Sequence, residues 1–358
     1  YTRWSLNDDP AFGFERDIVI NNNETIVKPS KTENNTIVNV FPEGGELITG
    51  LNSLVAFKAT DKFGKPVKIK GLLVNQLGKT LDTLKVRHDG MGSFRLMPKA
   101  GETYSFKWID PSGNTGIIGI PVTKKEGLTL SVTTNNEFAS VKVERTTIIP
   151  DNYKRLNLLV HMNQIVLFKV NLNTADKQLL AANIPIEELN TGILQFSLFS
   201  SDWLPLAERI VFVNNREHEF GAKLIPQLVT LTKKGKNVFD IYVTDTTVTN
   251  MSVSVTDASL ESTQANHTIY SDLLLSSELK GKIHNPGYYL SSDADSVTAN
   301  LDLVMLTNGW RKFNWEKLKA SIAPEIKYPV ETDMIRVSGK VYGLKNVSAN
   351  DLMLNLII

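Results

Sequence analysis

The stretch Ser53-Leu-Val-Ala-Phe-Lys-Ala-Thr60 decides the predicted fold of this chain. Its β-branched and aromatic residues recur at period two, which is typical of a half-buried β-strand. The same pattern recurs at Gln195-Phe-Ser-Leu-Phe199 and at Val238-Phe-Asp-Ile-Tyr-Val243. In Ser252-Val-Ser-Val255 the valines share one face and the serines share the other. These segments predict strands with one face in a core and the other face in water.

Turn-forming residues separate the predicted strands at regular intervals. Gly, Pro, Asn and Asp favour the backbone conformations of tight turns. The turn segments are Asp61–Pro66, Asn75–Gly78, Asp89-Gly90, Asp110–Gly113 and Lys233–Asn237. Short strands with regular turns are typical of β-sandwiches. Because the chain has 358 residues, it suits roughly two to four such domains.

We therefore predict a mainly β chain of tandem Ig-like sandwiches, each of about 90–100 residues. The predicted units are 34–124, 125–222 and 223–330, preceded by residues 1–33 as the end of another domain and a linker. The third unit ends in a short helical segment near residues 297–320. There, apolar residues follow the i, i+4, i+7, i+8 spacing of an amphipathic helix, and a second helical turn is predicted after Trp315. The spaced residues are Val297, Leu301, Val304 and Met305.

Composition excludes several classes of partner and chemistry. Lys and Arg total 39 against 38 Asp and Glu, so the net charge of +1 creates no field that would gather a nucleic acid. The chain has no cysteine, which excludes disulfides, thiol nucleophiles and cysteine-ligated metals. Polar residues interrupt its richest apolar stretch, Leu156–Val170, so no membrane span of roughly 20 apolar residues is predicted in this segment.

The string His88-Asp89-Gly90 contains residue types found in catalytic pairs. Adjacent strand residues point to opposite faces, however, and no activated serine stands nearby in the sequence. We predict a structural turn in which Asp89 accepts local backbone N–H groups and Gly90 and Gly92 adopt positive φ. The two glycines are not a dinucleotide fingerprint, because Arg95 stands where the third glycine is required. We predict no catalytic residue in this chain.

Two acidic segments carry residue types that bind metals. Glu217-His218-Glu219 lacks the histidine pair that places two imidazoles on one helical face, which favours a solvated hairpin rim. Asp293-Ala-Asp295 begins like a calcium loop, but Thr298 and Val304 occupy the positions of its Gly and its Glu. We predict a capping turn before the helix, with a calcium site of two Asp and backbone oxygens as the alternative. We expect no metal and no cofactor.

The cluster Trp310-Arg-Lys-Phe-Asn-Trp315 is the best candidate for a binding surface. Its ligand-binding candidates are Trp310, Arg311, Phe313 and Trp315, to which we add Trp203 as an aromatic residue in an exposed loop. Aromatic faces next to cations suit a sugar ring or a protein hot spot. Tryptophans beside a helix also plug domain junctions, and we favour that interpretation for this cluster.

Several strings together resemble one macroglobulin-type (MG) domain of large cell-envelope proteins of Bacteroidetes. They are Phe41-Pro-Glu-Gly-Gly-Glu-Leu47, Phe57-Lys-Ala-Thr-Asp-Lys-Phe-Gly-Lys-Pro66 and His88-Asp-Gly-Met-Gly-Ser-Phe94. Gly192–Phe199 with Pro205–Val213 is similar to the closing hairpin of a second MG domain, and Met251–Asp257 to a strand of a third. The hairpin departs from the family at its tip, where Ser201-Asp-Trp-Leu-Pro205 replaces a Gly-containing turn.

The C-terminal part is similar to the segment that precedes a carboxypeptidase-regulatory-like sandwich in the same family. The resemblance lies in Leu273–Gly281, Asn285–Tyr289 and Leu301–Phe313, and Val337–Val341 would be the first strand of that sandwich. Residues 331–358 are therefore expected to be its truncated start, within a longer parent protein. In this family a TonB-receptor-type plug often follows, which implies a periplasmic or cell-surface, outer-membrane-associated location.

These observations predict a non-catalytic structural and interaction array of an outer-membrane-associated bacterial protein. It would position a downstream module of the same chain or bind a protein partner, and the resemblance implies a link to TonB-dependent nutrient uptake. A module that binds a glycan or a peptide is the alternative, and a hydrolase using scattered carboxylates is the third hypothesis. The thioester of true α-2-macroglobulins requires a cysteine, so covalent protease trapping is not expected.

Overall fold

The computed structural model describes residues 3–7, 36–219, 221–244, 267–308, 315–323 and 325–330, together with 251, 253 and 255. The predicted start of a further sandwich at 331–358 and most of the preceding segment 1–33 lie outside the described residues. The chain forms two compact units. The smaller comprises residues 1–10 and 323–358; in it, a 3-10 turn at Arg3–Asn7 ends where the Asn7 side chain binds the backbone of Lys327 and Tyr328.

The larger unit is Ala11–Ile322, and its first described part, from residue 36, is an antiparallel sandwich. One sheet has the order β1-β3-β6 and the other the order β5-β4-β7-β8, while β2 pairs with β9 in parallel. Phe57 and Phe106 from the two facing sheets pack with ring centroids 5.0 Å apart in the core. The strands are β1 (Ile37–Pro42), β2 (Leu47–Ile48), β3 (Ser53–Thr60), β4 (Lys70–Asn75), β5 (Thr80–Lys85), β6 (Met91–Leu96), β7 (Tyr104–Ile109), β8 (Thr115–Gly119) and β9 (Thr123–Lys124).

A second sandwich repeats this arrangement. Its sheets have the orders β10-β11-β14 and β13-β12-β15-β16. When the short β2 and β9 are set aside, the first, second and fifth strands of each sandwich form the three-stranded sheet, which is an Ig-like connectivity. The prediction of a mainly β chain with tandem sandwiches and a short helical segment is confirmed. The strands are β10 (Leu128–Thr134), β11 (Phe138–Arg145), β12 (Arg155–Met162), β13 (Ile165–Asn173), β14 (Leu179–Pro185), β15 (Gly192–Phe199) and β16 (Pro205–Val213).

A two-stranded antiparallel hairpin follows, formed by β17 (Ala222–Leu228) and β18 (Val238–Val243). Every residue of β17 is exposed. Val253 and Val255, predicted to face a core, are 68% and 91% exposed. The prediction of a core face for these two valines is wrong, because among the described residues nothing covers them.

A helical segment, described at residues 267–308 and 315–319, then packs against both sandwiches. It contains α1 (Ile269–Leu274), 3-10 turns at Ser276–Glu278 and Pro286–Leu290, α2 (Asp295–Thr307) and α3 (Trp315–Lys319). A capping box between Thr268 and Ser271 starts α1. All four apolar residues predicted for the buried stripe of α2 are buried. Three of them, Leu301, Val304 and Met305, share one apolar cluster with Met91 of the first sandwich and Ile210 and Phe212 of the second.

The turn at Asp89 and Gly90 has positive φ values of 41° and 75°. The Asp89 carboxylate does not accept local backbone N–H groups as predicted; it lies 3.3 Å from Nε2 of His88 and accepts a 3.4 Å bond from the Tyr289 hydroxyl. The prediction of a positive φ for Gly92 is also wrong, because Gly92 belongs to the strand β6. Its lack of a side chain serves close packing instead. A Cβ there would lie 2.5 Å from Cζ of Phe57 and 2.7 Å from the Lys85 carbonyl.

We predict that Gly92→Ala lowers the free energy of unfolding by about 1–3 kcal/mol, since the new methyl group overpacks the core. The control is Gly119→Ala, also in a strand of this sandwich, where a Cβ meets nothing within 4 Å; its effect should stay within about 0.5 kcal/mol. Urea unfolding followed by tryptophan fluorescence measures both. Equal losses in the two variants would show that the packing at Gly92 is not the constraint.

Candidate functional site

The segment Phe41-Pro-Glu-Gly-Gly45 of the first sandwich forms hydrogen bonds to the second sandwich. Oε1 of Glu43 accepts hydrogen bonds from the Val132 backbone N–H at 3.3 Å and from Nε of Arg209 at 2.9 Å. The Gly44 carbonyl accepts a 3.4 Å bond from the Glu208 N–H. Gly44 has a φ of 79°, and a Cβ there would lie 3.1 Å from the Leu130 carbonyl oxygen. A glycine is needed at this position because the two backbones approach closely.

Arg209 binds three parts of the larger unit at once. Its side chain is 3% exposed. Nε donates to Glu43 of the first sandwich, Nη2 donates to Oδ1 of Asp302 in α2 at 2.6 Å, and Nη1 donates to the carbonyl of Ile210. Burial works against the charge of this guanidinium, but the two carboxylates outweigh it and raise its pKa. Arg209 is therefore a permanent cation that joins both sandwiches and the helical segment.

Glu43 is almost as buried as its partner, with a side chain 8% exposed. Burial raises the pKa of Glu43 more than the Arg209 guanidinium lowers it. Without Arg209, this carboxylate would be left in an apolar junction with a single backbone donor. Each member of the buried pair therefore requires the other.

Trp315 lies on the same sheet of the second sandwich, over the face turned away from its core. Nε1 of Trp315 donates to Oε1 of Glu208 at 2.6 Å, and the indole stands edge to face against Phe199 at 5.0 Å and His161 at 6.0 Å. Of the ligand-binding candidates from the sequence, Trp310, Arg311 and Phe313 lie outside the described residues. Trp315, the tryptophan of that cluster that the structure describes, thus contacts a sheet of the second sandwich.

His161 lies beneath Trp315 and is 4% exposed. Its Nε2 is 3.3 Å from Oγ of Ser197, and Gln195 donates to both Ser197 and Glu208. Burial lowers the pKa of His161, so the neutral imidazole is favoured. This polar row on the sheet's outer face is covered by protein rather than by solvent.

Trp203 stands apart from this row at the tip of the β15–β16 hairpin. The tip places Trp203 at a φ of 64°, and the Ser200 hydroxyl organises the turn by accepting from the Leu204 N–H at 2.9 Å. The indole is 38% exposed. The Lys169 ammonium lies 5.0 Å from the ring centroid, and Phe199 packs 5.5 Å away. One face of this tryptophan is therefore already occupied by a cation.

A cleft lies between the outer face of β3 and the helical segment. It is partly open to solvent, and its enclosed part has room for little more than a water molecule, far less than a small-molecule site requires. Its polar lining includes Lys58, Asp89 and Asn308. The His88 ring stacks on Tyr288 at 4.5 Å beside it, so the His88–Asp89 pair packs against the helical segment instead of facing a substrate pocket.

The two acidic segments have structural partners. The Glu217 carboxylate accepts from the N–H and the hydroxyl of Thr191, both at 2.6 Å, which lowers its pKa although burial opposes the change. Asp293 pairs with Nε of Arg216 at 2.9 Å and so does not cap α2, whose N-cap residue Ala294 makes no side-chain bond. The predicted capping turn is therefore wrong in its chemistry. Within the described ranges, no group of three or more His, Asp or Glu side chains is arranged to hold a metal.

Comparisons with known proteins give weak structural likenesses. No protein-family model matches the chain, and no curated protein matches its sequence. Similar solved structures include the BSP domain of a biofilm-associated protein, at 21% identity and a TM-score of 0.25, covering 50% of this chain and 30% of that one. Three N-terminal domains of the bacteriophage RB49 Highly Immunogenic Outer Capsid protein match at 9% identity and a TM-score of 0.20, covering 59% of this chain and 69% of that one.

A mutant of Salmonella alpha-2-macroglobulin also matches, at 16% identity and a TM-score of 0.19, covering 61% of this chain and 18% of that one. This chain thus spans less than a third of the biofilm-associated protein and less than a fifth of the alpha-2-macroglobulin. Its Ig-like architecture is evident from its own strand order.

We predict that Arg209→Met lowers the free energy of unfolding by about 3–5 kcal/mol, because Glu43 is left buried without a cation. Arg216→Met is the matched control: Arg216 also binds two carboxylates, but its side chain is 34% exposed, so its loss should stay below about 1 kcal/mol. Urea titration measures both. A double variant with Glu43→Gln should recover part of the Arg209 loss; full additivity would contradict the pairing.

We predict that stability falls as the pH drops below the ordinary histidine pKa of about 6.5. The unfolded chain takes up a proton at His161 there, whereas the buried imidazole resists it until lower pH, so acid favours unfolding. The urea midpoint of His161→Gln should depend less on pH than that of the wild type. His284→Gln, at an exposed histidine, should keep the wild-type dependence. An unchanged slope in His161→Gln would contradict this assignment.

Proposed function

We propose that this chain is a non-catalytic structural and interaction array of a bacterial, outer-membrane-associated protein, acting in the periplasm or at the cell surface. It would hold a downstream module of the same chain, or a protein partner, at a set position relative to the envelope. The observation that carries the proposal is the Glu43–Arg209–Asp302 triad, in which a buried Arg209 and Glu43 pair and a half-exposed Asp302 join two sandwiches and the helical segment.

A fixed junction supports a positioning role because neighbouring domains move against each other unless a large or specific interface prevents it. Here the interface combines two elements. An apolar cluster contains side chains from both sandwiches and from α2, and the triad adds hydrogen bonds whose geometry permits little rotation. Domains that need only a flexible connection require neither the apolar cluster nor the triad.

The hairpin β17–β18 supports the interaction role. It exposes large apolar side chains, among them Leu224 (63%), Phe239 (47%) and Tyr242 (57%). A two-stranded sheet is marginal alone and has two open edges, which can pair with further strands of the same or another protein. We assign this hairpin to the proposed third unit, 223–330, which would also contact the downstream module. A link to TonB-dependent uptake remains part of the proposal and rests on the sequence resemblance.

Membrane attachment through a helix has no support in the described ranges, where no helix is both long and apolar enough to cross a bilayer.

We predict a narrow distance distribution between spin labels on the two sandwiches, since the triad fixes their angle. The chain has no cysteine, so Lys107→Cys in β7 and Ala181→Cys in β14, both exposed strand positions, can be labelled without background. Double electron–electron resonance measures the distribution. Adding Arg209→Met should broaden it, while adding Arg216→Met should leave it narrow. A broad distribution in the doubly labelled wild type would contradict a positioning role.

A further inference from the structure

Lys58 and Asn308 meet in the cleft between the first sandwich and the helical segment. Nζ of Lys58, in β3, lies 2.8 Å from Oδ1 of Asn308, the residue that ends α2, although 250 positions separate the two in sequence. Asn308 is 3% exposed. Its side-chain nitrogen donates to the Lys280 carbonyl at 3.1 Å, and the Lys58 ammonium also donates to the Lys282 carbonyl at 3.2 Å. Hydrogen bonds to the Lys280 and Lys282 carbonyls thus hold the two side chains next to each other.

We propose that Lys58 and Asn308 form an intramolecular isopeptide bond. In this step Nζ attacks Cγ of Asn308, a new amide C–N bond forms, the bond between Cγ and the original amide nitrogen breaks, and that nitrogen leaves as ammonia. Nothing is oxidised or reduced, and no cofactor or second substrate is consumed. The product is a covalent link between the first sandwich and the helical segment.

The geometry is close to what the attack requires. Cγ is one carbonyl bond, about 1.2 Å, from Oδ1, so it lies no more than about 4 Å from Nζ, while reacting atoms in a near-attack arrangement are about 3–3.5 Å apart. A small rotation of the lysine closes the difference. The Thr307 hydroxyl lies 3.3 Å from Oδ1, on which negative charge develops, although it also donates to the Leu303 carbonyl.

The cleft also favours the reactive form of the amine. Burial lowers the pKa of Lys58 to about 8, although Asp89 opposes the change. About a tenth of the amines are then neutral and nucleophilic at neutral pH, far more than for an exposed lysine. Apolar side chains of Met91, Ile283 and Val304 line the same cleft and limit access of competing water.

Asp89 is the proton carrier that the step needs. Its carboxylate shares the cleft with Lys58, and the Tyr289 hydroxyl donates to it at 3.4 Å. Burial raises the pKa of Tyr289, so this phenol remains a donor and holds Asp89 in place. Asp89 would accept the proton that Nζ loses and pass it to the departing nitrogen, which leaves as ammonia.

The intact mass of the purified full chain tests the proposal. We expect a mass below the sequence value by one ammonia, and a branched tryptic peptide that joins the Lys58 and Asn308 fragments. Lys58→Arg keeps a cation that hydrogen-bonds to Asn308 but cannot form the bond, so it should show the full sequence mass. Lys107→Arg, on an exposed strand position, is the control and should keep the loss. Asp89→Asn should slow the loss at least tenfold, as expected when a general acid–base is removed.

Two results would overturn the proposal. One is the full sequence mass in wild-type protein that has been folded and incubated at mildly alkaline pH, which would reduce the contact to a hydrogen bond. The other is a loss of ammonia that persists in Lys58→Arg. Asn308 precedes Gly309, and cyclisation of an Asn-Gly pair to a succinimide would release ammonia without Lys58. The branched peptide distinguishes these products directly.

Discussion

The structure depends on one buried cation. Arg209 lies on a strand of the second sandwich, and its guanidinium is bonded to Glu43 of the first sandwich and Asp302 of α2. Moving a charge from water into a protein interior is unfavourable by several kcal/mol, so a buried guanidinium persists only where its partners have good geometry. The relative arrangement of the two sandwiches and α2 is thereby tied to this set of hydrogen bonds as well as to their shared apolar cluster. The apolar cluster around Met91, Ile210 and Val304 supplies the burial, and the triad selects one orientation within it.

The packing of the helical segment against the second sandwich explains an irregularity in that sandwich. A sheet with one wet face alternates buried and exposed residues, yet β15 is buried at all positions but one. Both faces of this sheet are covered: the inner face by the sandwich core, and the outer face by the helical segment and Trp315. The outer row of His161, Gln195 and Ser197 is polar, and side-chain hydrogen bonds join these residues under the cover of Trp315.

Local pattern predicted local structure well in this chain. β3 covers Ser53–Thr60 as quoted from the sequence, and the stripe through Val297 and Val304 is the buried face of α2. The triad was not predicted, since Glu43 and Arg209 are 166 positions apart and periodicity carries no information about contacts between modules. The available signal was an arginine among the apolar residues of β16. The prediction for Gly92 failed for a related reason. The sequence does not distinguish a glycine that is required because a neighbouring ring packs against it from one that is required by a turn.

The helix α2 is held at two points, and their spacing gives the junction its geometry. Asp302 binds the second sandwich through Arg209, and Asn308 binds the first through Lys58. The two residues are six positions apart, which corresponds to a rise of about 9 Å along the helix. These contacts to different sandwiches add to the apolar packing of α2 and further restrict its rotation relative to both sandwiches. A covalent bond at Asn308 would strengthen the attachment of this end of α2 to the first sandwich, where hydrogen bonds to Lys58, Lys280 and Thr307 otherwise hold the side chain.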